Sequence, residues 1–471
     1  MDKAKPCVLN LTFPFALTRD QVAAVNAWVS NGYRGSIIYS TGTGKTEIAF
    51  ECAKRRAIEN LTHNDIEKYN SDSNNVSRYA ISTVPSILFL VPRIILIEQN
   101  VRRLLSYHIP EESIGVYFGE RKETREITIS TYQSVINNLE LIHSADTIVF
   151  DEMHLLTDSA KTLARMFYLL NRDEYKSSHK KALLGLTATI DEQHPNYNTI
   201  VSLLPPVKKY MIKDAVHDGR LAKPIVIPIK TKLTVEEKNL YNSYSNKIRK
   251  ISYELNVSDP QSMSMVLRKG GISAKLARSW FENVRNRKNL INSAQNKISA
   301  AVELIATRHP SERIMVFSET IESIRKLKET LEREREIKSM IIESKLKSKE
   351  RRDILSRWGT DFYPLLSVHT LEIGYDVPEV RIAIILASTS NMNQAAQRVG
   401  RILRKSEGKH SALIYTVYLS DTLDYTHLGI VRQATQSDNT RRQFTGNNAK
   451  NNNSKRGISM KTNTKLDPFM T

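Results

Sequence analysis

Short runs of β-branched and aliphatic residues alternate with longer amphipathic stretches in two separate parts of the chain. Polar or glycine-containing segments bound each run, which is typical of buried strands, and the intervening stretches have helical spacing. The expected strands of the first part are residues 35–39, 87–91, 127–130, 147–150 and 182–187. Those of the second part are residues 313–318, 364–368, 382–387 and 412–417. This alternation predicts two α/β domains, each with a parallel sheet covered by helices on both faces.

A helical segment separates the two parts, and a polar segment follows the second. Leu240, Tyr244, Ile248 and Ile251 are spaced by four, four and three residues, as on one face of a helix. The last residues are rich in asparagine and lysine and have too few apolar side chains to offset the entropy of ordering. The expected division is a lead-in (1–16), a first α/β domain (17–228), a basic helical insertion (229–304), a second α/β domain (305–435) and a disordered basic tail (436–471).

The charge balance indicates a polyanionic partner. The chain has 69 Lys and Arg against 50 Asp and Glu, a formal net charge of +19. Residues 231–300 hold 13 basic and 5 acidic residues, and residues 440–471 hold 7 and 1. Positive potential of this size attracts phosphate backbones, so nucleic acid is the partner that the charge favours. Ordinary solvated helix faces are the alternative for residues 231–300.

Cysteine content and hydropathy exclude several classes of protein. Cys7 and Cys52 are the two cysteines and neither belongs to a CxxC pair, so we expect neither a disulfide framework nor a zinc site. No run of 18 apolar residues occurs, and Pro14 interrupts the apolar residues near the start, which disfavours a membrane span and a signal peptide. We expect an intracellular protein in a reducing compartment, in the cytoplasm, nucleus or virus factory according to its source.

The segment STGTGKT at residues 40–46 follows an expected strand and precedes a helical pattern. Glycines let the backbone approach phosphate oxygens, the helix start presents amides, Lys45 supplies a positive charge, and the Thr46 hydroxyl can bind Mg²⁺. The strict motif has glycine where Tyr39 stands. We expect an ATP phosphate site formed by Ser40, Thr41, Gly42, Thr43, Gly44, Lys45 and Thr46.

An acidic segment, Asp151-Glu152-Met153-His154, directly follows the expected strand at 147–150. A carboxylate at a strand end can hold Mg²⁺, and the next one can polarise the water that attacks the γ-phosphate. We therefore assign Asp151 to the metal and Glu152 to the general base. An acidic loop without function is the alternative, and the phosphate loop upstream argues against it.

Further motifs, taken in order, resemble those of superfamily 2 helicases of the DExH type. Residues 17–21 (LTRDQ) resemble the adenine-reading motif, and 397–404 (QRVGRILR) resemble the arginine motif of the second domain, the most specific of the set. Other segments that resemble the family's motifs are 91–93 (VPR), 130–132 (STY), 186–189 (LTAT), 314–318 (IMVFS) and 371–378 (LEIGYDVP).

The resemblance implies two RecA-like domains with ATP in the cleft between them. It implies that Gln21 reads the adenine, and that Arg401 and Arg404 act as arginine fingers on the γ-phosphate. It also assigns nucleotide contacts to Gly374, Asp376 and Gln397, coupling to His154, Thr187, Ala188 and Thr189, and nucleic-acid contacts to Arg93, Thr131, Tyr132 and Thr370.

Residues 15–430 are similar to the archaeal and viral XPB-like DNA helicases, in which a thumb-like helical insertion corresponds to residues 231–300. This implies an ATP- and Mg²⁺-dependent 3′ to 5′ helicase on DNA rather than RNA, in repair, recombination, replication or transcription. Three alternatives stay open: a duplex translocase, an RNA helicase, and an ATP-gated DNA-binding subunit of a repair or transcription assembly with protein partners.

Overall fold

A computed structural model of the chain describes residues 6–60, 86–158, 170, 181–189, 192, 197–343, 346–368, 380–387 and 392–435. These residues belong to two compact units, and the main chain passes from the first to the second between Asp218 and Gly219. The expected disordered tail at 436–471 lies outside the described residues.

The first unit is built on an eight-stranded sheet in the order β4-β3-β5-β2-β6-β7-β1-β8. Its strands are β1 (Arg34–Tyr39), β2 (Ile87–Val91), β3 (Ile114–Phe118), β4 (Arg121–Lys122), β5 (Ile127–Thr131), β6 (Thr147–Phe150), β7 (Ala182–Thr187) and β8 (Pro206–Tyr210). Its described helices are α1 (Arg19–Ser30), α2 (Lys45–Glu59), α3 (Ile94–Ser106), α4 (Tyr132–Asn137), α5 (Glu140–Ser144), α6 (Tyr197–Leu203) and α7 (Ile212–His217). All neighbouring strands are parallel except the β3–β4 pair.

The central strands are buried along their whole length because helices cover both faces of the sheet. Every residue of β2, β6 and β7 is buried, as expected for parallel strands. Helix α1 is fixed to the sheet through Trp28, whose ring is buried and whose indole Nε1 donates a hydrogen bond to the carbonyl oxygen of Leu183 at 2.9 Å. The predicted parallel α/β fold is confirmed here.

The second unit has a six-stranded parallel sheet in the order β11-β12-β10-β13-β14-β9. Its strands are β9 (Lys223–Thr231), β10 (Ile314–Ser318), β11 (Met340–Ile342), β12 (Pro364–Val368), β13 (Ile382–Ile385) and β14 (Ser411–Leu419). Its described helices are α8 (Val235–Leu255), α9 (Pro260–Lys269), α10 (Gly271–Asn292), α11 (Gln295–Glu303), α12 (Ile321–Arg335), α13 (Ser348–Arg357), α14 (Met392–Ile402) and α15 (Tyr425–Thr435). A π-helical turn, Leu304–Arg308, extends α11.

Strand β9 differs from the expected division, which ended the first domain at residue 228. It pairs with β14 in the second sheet, from Lys223 opposite Ser411 to Thr231 opposite Leu419. Pro224 lies within it, and proline is tolerated because β9 is an edge strand, where one row of amides needs no partner. The second unit therefore begins before β9.

Helices α8, α9 and α10 form the expected insertion and have a small core of their own. Ile251, Met263, Ala277 and Trp280 pack together there, and the Trp280 indole Nε1 donates to Ser252 Oγ at 2.8 Å. Although α8 and α10 are long, no helix in the described ranges of the chain has both the length and the apolar character needed to cross a membrane. The following helix, α11, packs on the second sheet and not in the insertion.

A buried ion pair joins α11 to the segment between β14 and α15. Lys297 Nζ and Asp424 Oδ2 are 2.8 Å apart, and both side chains are almost fully buried. The same Asp424 oxygen accepts a hydrogen bond from the backbone N–H of Leu419 at the end of β14. The pair thus fixes the helix that follows the insertion to the second sheet.

Replacing Lys297 by methionine should destabilise the second unit by about 3–5 kcal/mol, because the Asp424 carboxylate would remain buried without its cation. The free energy of unfolding from urea titrations of the full chain measures this change. The matched control is Arg357→Met, which removes the exposed ion pair with Asp361 and should leave the unfolding midpoint unchanged. Equal midpoints for the two variants would contradict the assignment of a stabilising role to Lys297.

Candidate functional site

A tight loop, residues 40–44, connects the end of β1 to the start of α2. Gly42 and Gly44 have φ angles of 87° and 84°, in the left-handed region that glycine adopts at little cost. Gly44 is also the N-cap of α2, so the unbonded amides of the first helical turn border the loop. These amides and the positive end of the helix dipole suit a bound phosphate group.

The amide of Gln21 holds this loop against α1. Its Nε2 donates to the Thr43 carbonyl oxygen at 3.1 Å, and its Oε1 accepts from the Thr18 N–H at 2.9 Å. The side chain is buried, and a Cβ added at Gly44 would collide with its amide nitrogen. Gly44 therefore meets two requirements, a positive φ and the close approach of Gln21. Adenine reading by Gln21 stays a prediction. The structure shows in addition that the Gln21 side chain supports the backbone of the phosphate loop.

Two hydroxyl groups of the loop have no hydrogen-bond partner among the described residues. Ser40 Oγ and Thr41 Oγ1 are buried and make no hydrogen bond with any residue that the structure describes. Thr43 Oγ1 donates to the Ser40 carbonyl oxygen at 2.7 Å, and Lys45 Nζ donates to the Tyr39 carbonyl oxygen at 3.2 Å. An unsatisfied buried hydroxyl costs about 1–3 kcal/mol, so these atoms fit an anionic ligand that accepts hydrogen bonds.

Tyr39 stands where the strict phosphate-loop motif has glycine, and the structure explains why a large side chain is accommodated. Its ring is fully buried and packs on the ring of Tyr210, with 5.1 Å between centroids. Its hydroxyl donates to the Asp20 carbonyl oxygen at 2.7 Å. The Tyr39 side chain is thus part of the packing between β8 and α1 and does not occupy the space where the loop would hold a phosphate.

The acidic pair begins at the end of β6, and β7 separates this strand from β1, the strand that leads into the phosphate loop. The Asp151 N–H donates to the Leu90 carbonyl oxygen at 2.9 Å, and the Tyr132 hydroxyl donates to the Asp151 carbonyl oxygen at 2.6 Å. Glu152 has a φ of 50°, which is strained for a residue with a side chain. Its N–H donates to Asp151 Oδ1 at 3.0 Å. These contacts fix the backbone at Asp151 and the direction of its carboxylate.

Electrostatics at this pair favour a bound cation. Burial and the adjacent charge of Glu152 raise the pKa of Asp151 to about 7, and the charge of Lys45 acts in the opposite direction. A divalent cation would stabilise the ionised carboxylate. The carboxylate of Asp151 and the hydroxyl of Thr46 are the oxygen ligands that Mg²⁺ takes together with phosphate oxygens. The residues present therefore fit Mg²⁺ bound with a nucleotide.

A relay of side-chain contacts leads from Glu152 to the end of β7. His154 Nδ1 lies 3.4 Å from Glu152 Oε2 and 3.0 Å from Thr187 Oγ1. The Thr187 hydroxyl donates to the Thr189 carbonyl oxygen at 2.6 Å. Because that hydroxyl has one hydrogen, His154 Nδ1 is the donor to Thr187, which assigns the proton to Nδ1. Ala188 is buried between the two threonines. The structure brings the predicted coupling residues together, and their coupling role stays a prediction.

The predicted nucleic-acid contacts have different positions. Arg93 is exposed at the N-terminus of α3. Thr131 is buried and caps α4, since its Oγ1 accepts from the Ser134 N–H at 3.2 Å. The structure corrects the assignment of Tyr132: its ring lies in the core of the first unit and its hydroxyl supports Asp151, so the side chain is not available to nucleic acid. Thr370 lies outside the described residues.

Helix α14 of the second unit carries the arginine motif. Arg398 is buried and its Nη2 contacts Glu319 Oε1 at 2.9 Å, which fixes the helix to the segment after β10. Arg401 is buried one turn further along, and Arg404 follows the helix and pairs with Leu221 through the backbone. Gly374, Asp376 and the side chain of Gln397 lie outside the described residues. The predicted nucleotide roles of all these residues stay predictions.

Lys409 is a support that the sequence motifs did not indicate. Its side chain is buried, and its Nζ donates to the Ile402 carbonyl oxygen at the C-terminus of α14. Burial and the nearby charge of Arg381 lower its pKa to about 8. A lysine at a helix end satisfies a carbonyl group that has no partner within the helix. Lys409 is five residues after the arginine motif in the sequence. Its contact with the end of α14 depends on how the chain folds back after the helix, which the motif does not predict.

Comparisons with known proteins match both units. The family model of the Type III restriction enzyme res subunit matches residues 14–192, and the helicase conserved C-terminal domain matches residues 296–406. The chain is 24% identical over 428 residues to the DNA 3′-5′ translocase XPB2 of Sulfurisphaera tokodaii. The aligned residues cover 88% of this chain and 85% of that relative.

A bacterial relative is longer than this chain. The DNA 3′-5′ helicase XPB of Mycobacterium tuberculosis is 26% identical over 351 residues, covering 72% of this chain and 54% of the relative. The chain thus spans about half the length of that protein. Among solved structures, the Pyrococcus furiosus Hef helicase domain superposes with a TM-score of 0.53 at 17% identity, over 88% of this chain and 99% of that one. At this identity the likeness shows a shared fold.

Replacing Gly44 by alanine should abolish binding of a fluorescent ATP analogue, since the added Cβ is strained at this φ and displaces the Gln21 amide. Gly32→Ala is the matched control, because Gly32 also has a positive φ, of 70°, but nothing lies within 4 Å of an added Cβ. It should cost about 1–2 kcal/mol of stability and keep nucleotide affinity. Unchanged affinity in Gly44→Ala would show that the loop does not bind the nucleotide.

Proposed function

We propose that the chain, a superfamily 2 helicase close to the XPB branch, is an ATP-dependent DNA helicase or translocase that moves 3′ to 5′. The observation that carries the proposal is the meeting of the phosphate loop, the acidic pair and the His154 relay at neighbouring strand ends. The positive charge of the chain supports a nucleic-acid partner.

The residues of the first unit would divide the chemistry as follows. Lys45 and the loop amides bind the β- and γ-phosphates, and Asp151 with Thr46 holds Mg²⁺. When bound, Mg²⁺ neutralises charge on the phosphates. Glu152 Oε2 is buried and makes no hydrogen bond with a described residue, so it can accept a proton from the attacking water. Charge neutralisation and proton removal together lower the barrier to hydrolysis.

Coupling to the nucleic acid would run through the relay. His154 lies between the proposed base, Glu152, and the Thr187 hydroxyl, so a change at the γ-phosphate can alter the end of β7 without direct contact. We assign His154 and Thr187 as positioning residues on this ground. Arg401 and Arg404 of the second unit would add positive charge at the γ-phosphate and make hydrolysis depend on domain closure.

The type of movement on DNA is a separate part of the proposal. The Sulfurisphaera tokodaii relative, of which the chain covers 85%, is named a translocase, and the Mycobacterium tuberculosis relative is named a helicase. Translocation along duplex DNA without strand separation is therefore a second candidate. We place either activity in DNA repair, recombination, replication or transcription, where protein partners of such an assembly would direct it.

The test is steady-state ATP hydrolysis by the purified chain, alone and with single-stranded DNA, duplex DNA or RNA. We expect stimulation of about tenfold or more by DNA and none in Lys45→Ala, whose phosphate contact is lost. A strand-displacement assay on the stimulating polymer then separates helicase from translocase activity. Stimulation by RNA alone would replace DNA in the proposal, and turnover unaffected by every polymer would reject the motor function.

Arg401→Ala should slow DNA-stimulated hydrolysis by about 10³-fold or more if this arginine stabilises the transferred phosphoryl group. The matched control is Arg352→Ala, since Arg352 is an exposed arginine of α13 in the same unit and should retain normal turnover. Circular dichroism of both variants checks that the fold is kept. A loss of less than threefold in Arg401→Ala would remove this residue from the catalytic set.

A further inference from the structure

One face of helix α8 is exposed, polar and free of carboxylates over fifteen residues of helix. At 100° per residue, Asn239, Asn242, Asn246, Arg249, Lys250 and Tyr253 fall on the same side of the helix. All six are exposed. The buried residues Tyr241 and Ile251 lie on the opposite side. We call the six residues the polar face of α8; it is about 21 Å long at 1.5 Å per residue.

The chemistry of the polar face is that of hydrogen-bond donors and positive charge. Between residues 239 and 253 the helix contains Lys247, Arg249 and Lys250 and no Asp or Glu. These three side chains make no ion pair with any residue that the structure describes, and Arg249 Nη1 contacts Asn246 Oδ1 at 3.4 Å on the face itself. Asparagine amides and basic side chains donate to phosphate oxygens, so the face is complementary to a phosphate backbone.

An aromatic ring stands at one end of this face. Tyr253 is 89% exposed, more than any other large apolar or aromatic side chain in the described residues. It lies in the last turn of α8 and follows Arg249 and Lys250 by four and three residues, so the ring and the two charges are neighbours on the helix. Stacking of bases on aromatic rings, combined with a charged track, is how proteins bind single strands without reading sequence.

The base of α8 is tied to the second unit by several polar contacts. Lys238 Nζ contacts Asp421 Oδ2 at 3.1 Å, and Glu237 Oε1 accepts from the N–H of Gln295 at 2.8 Å. Leu233 and Tyr241 also pack with Leu419 of β14. A force on a nucleic-acid strand bound to the polar face would therefore be transmitted through these contacts to the second sheet.

We propose that the polar face of α8 binds a single-stranded nucleic acid, with a base stacked on Tyr253. Phosphates would lie along Asn246, Arg249 and Lys250 and within reach of the exposed Lys247, which precedes Lys250 by three residues. This rests on the proposed function, which requires a nucleic-acid track, and it places part of that track on the insertion. The predicted contacts Arg93, Thr131, Tyr132 and Thr370 do not include any residue of this face.

The test measures binding of fluorescently labelled single-stranded DNA to the full chain by anisotropy, between about 50 and 200 mM salt. The variant Lys247→Gln/Arg249→Gln/Lys250→Gln should bind about ten- to a hundredfold more weakly at the low salt. The slope of log affinity against log salt should fall by about 2, since each phosphate contact on a single strand contributes about 0.7.

The matched control is Arg333→Gln/Arg335→Gln/Lys338→Gln, which removes three exposed positive charges elsewhere in the second unit. It should keep most of the affinity and the slope. Tyr253→Ala should weaken binding by about 5- to 150-fold, the equivalent of one stacked base, while Tyr253→Phe keeps the ring and should bind as the wild type does.

Each outcome decides between the two proposals. Equal weakening by the two triple variants would mean that general charge, and not the polar face, attracts DNA; this overturns the inference and leaves the proposed function standing. Wild-type affinity in both the α8 triple variant and Tyr253→Ala would also overturn it and would point to a protein partner for this face. Absence of binding and of stimulated hydrolysis in the wild type would reject the proposed function together with the inference.

Discussion

Parallel pairing of β6, β7 and β1 at the centre of the first sheet is the constraint on which the site depends. Ile38 pairs with Thr187, and Phe150 pairs with Gly185. Because the three strands are parallel, their carboxyl ends meet at one edge. The phosphate loop, the acidic pair and the relay threonine follow those three ends, so residues more than a hundred positions apart form one constellation.

Two residues that resemble ligand contacts act in the structure as supports. Gln21 donates to the backbone of the phosphate loop, and Tyr132 donates to the backbone of Asp151. Each satisfies a carbonyl group of the phosphate loop or of the acidic pair, and each is buried. A buried hydrogen bond of this kind restricts the directions that the neighbouring groups can take. The precision of the site therefore depends on residues that need not contact the nucleotide or the strand.

Charges in the second unit serve two separate purposes. Lys297 with Asp424 and Arg398 with Glu319 are buried pairs that fix α11 and α14 to the sheet. Desolvation makes an unpaired charge costly at such positions, so pairing is required. The exposed basic residues Lys247, Arg249 and Lys250 of α8 make no ion pair with any residue that the structure describes, which leaves their positive potential available to a partner. Net charge alone does not distinguish these two groups.

The sequence by itself determined the two parallel α/β units, the loop at 40–46, the acidic pair and the helical insertion, because periodicity, glycine placement and motif order are local properties of the chain. The tertiary structure alone decided that β9 belongs to the second sheet, that Tyr132 is buried under Asp151, and that Lys409 returns to the end of α14. In each case a hydrogen-bonding group is satisfied by a partner distant in sequence or across a turn, and no local pattern encodes which partner the folded chain supplies.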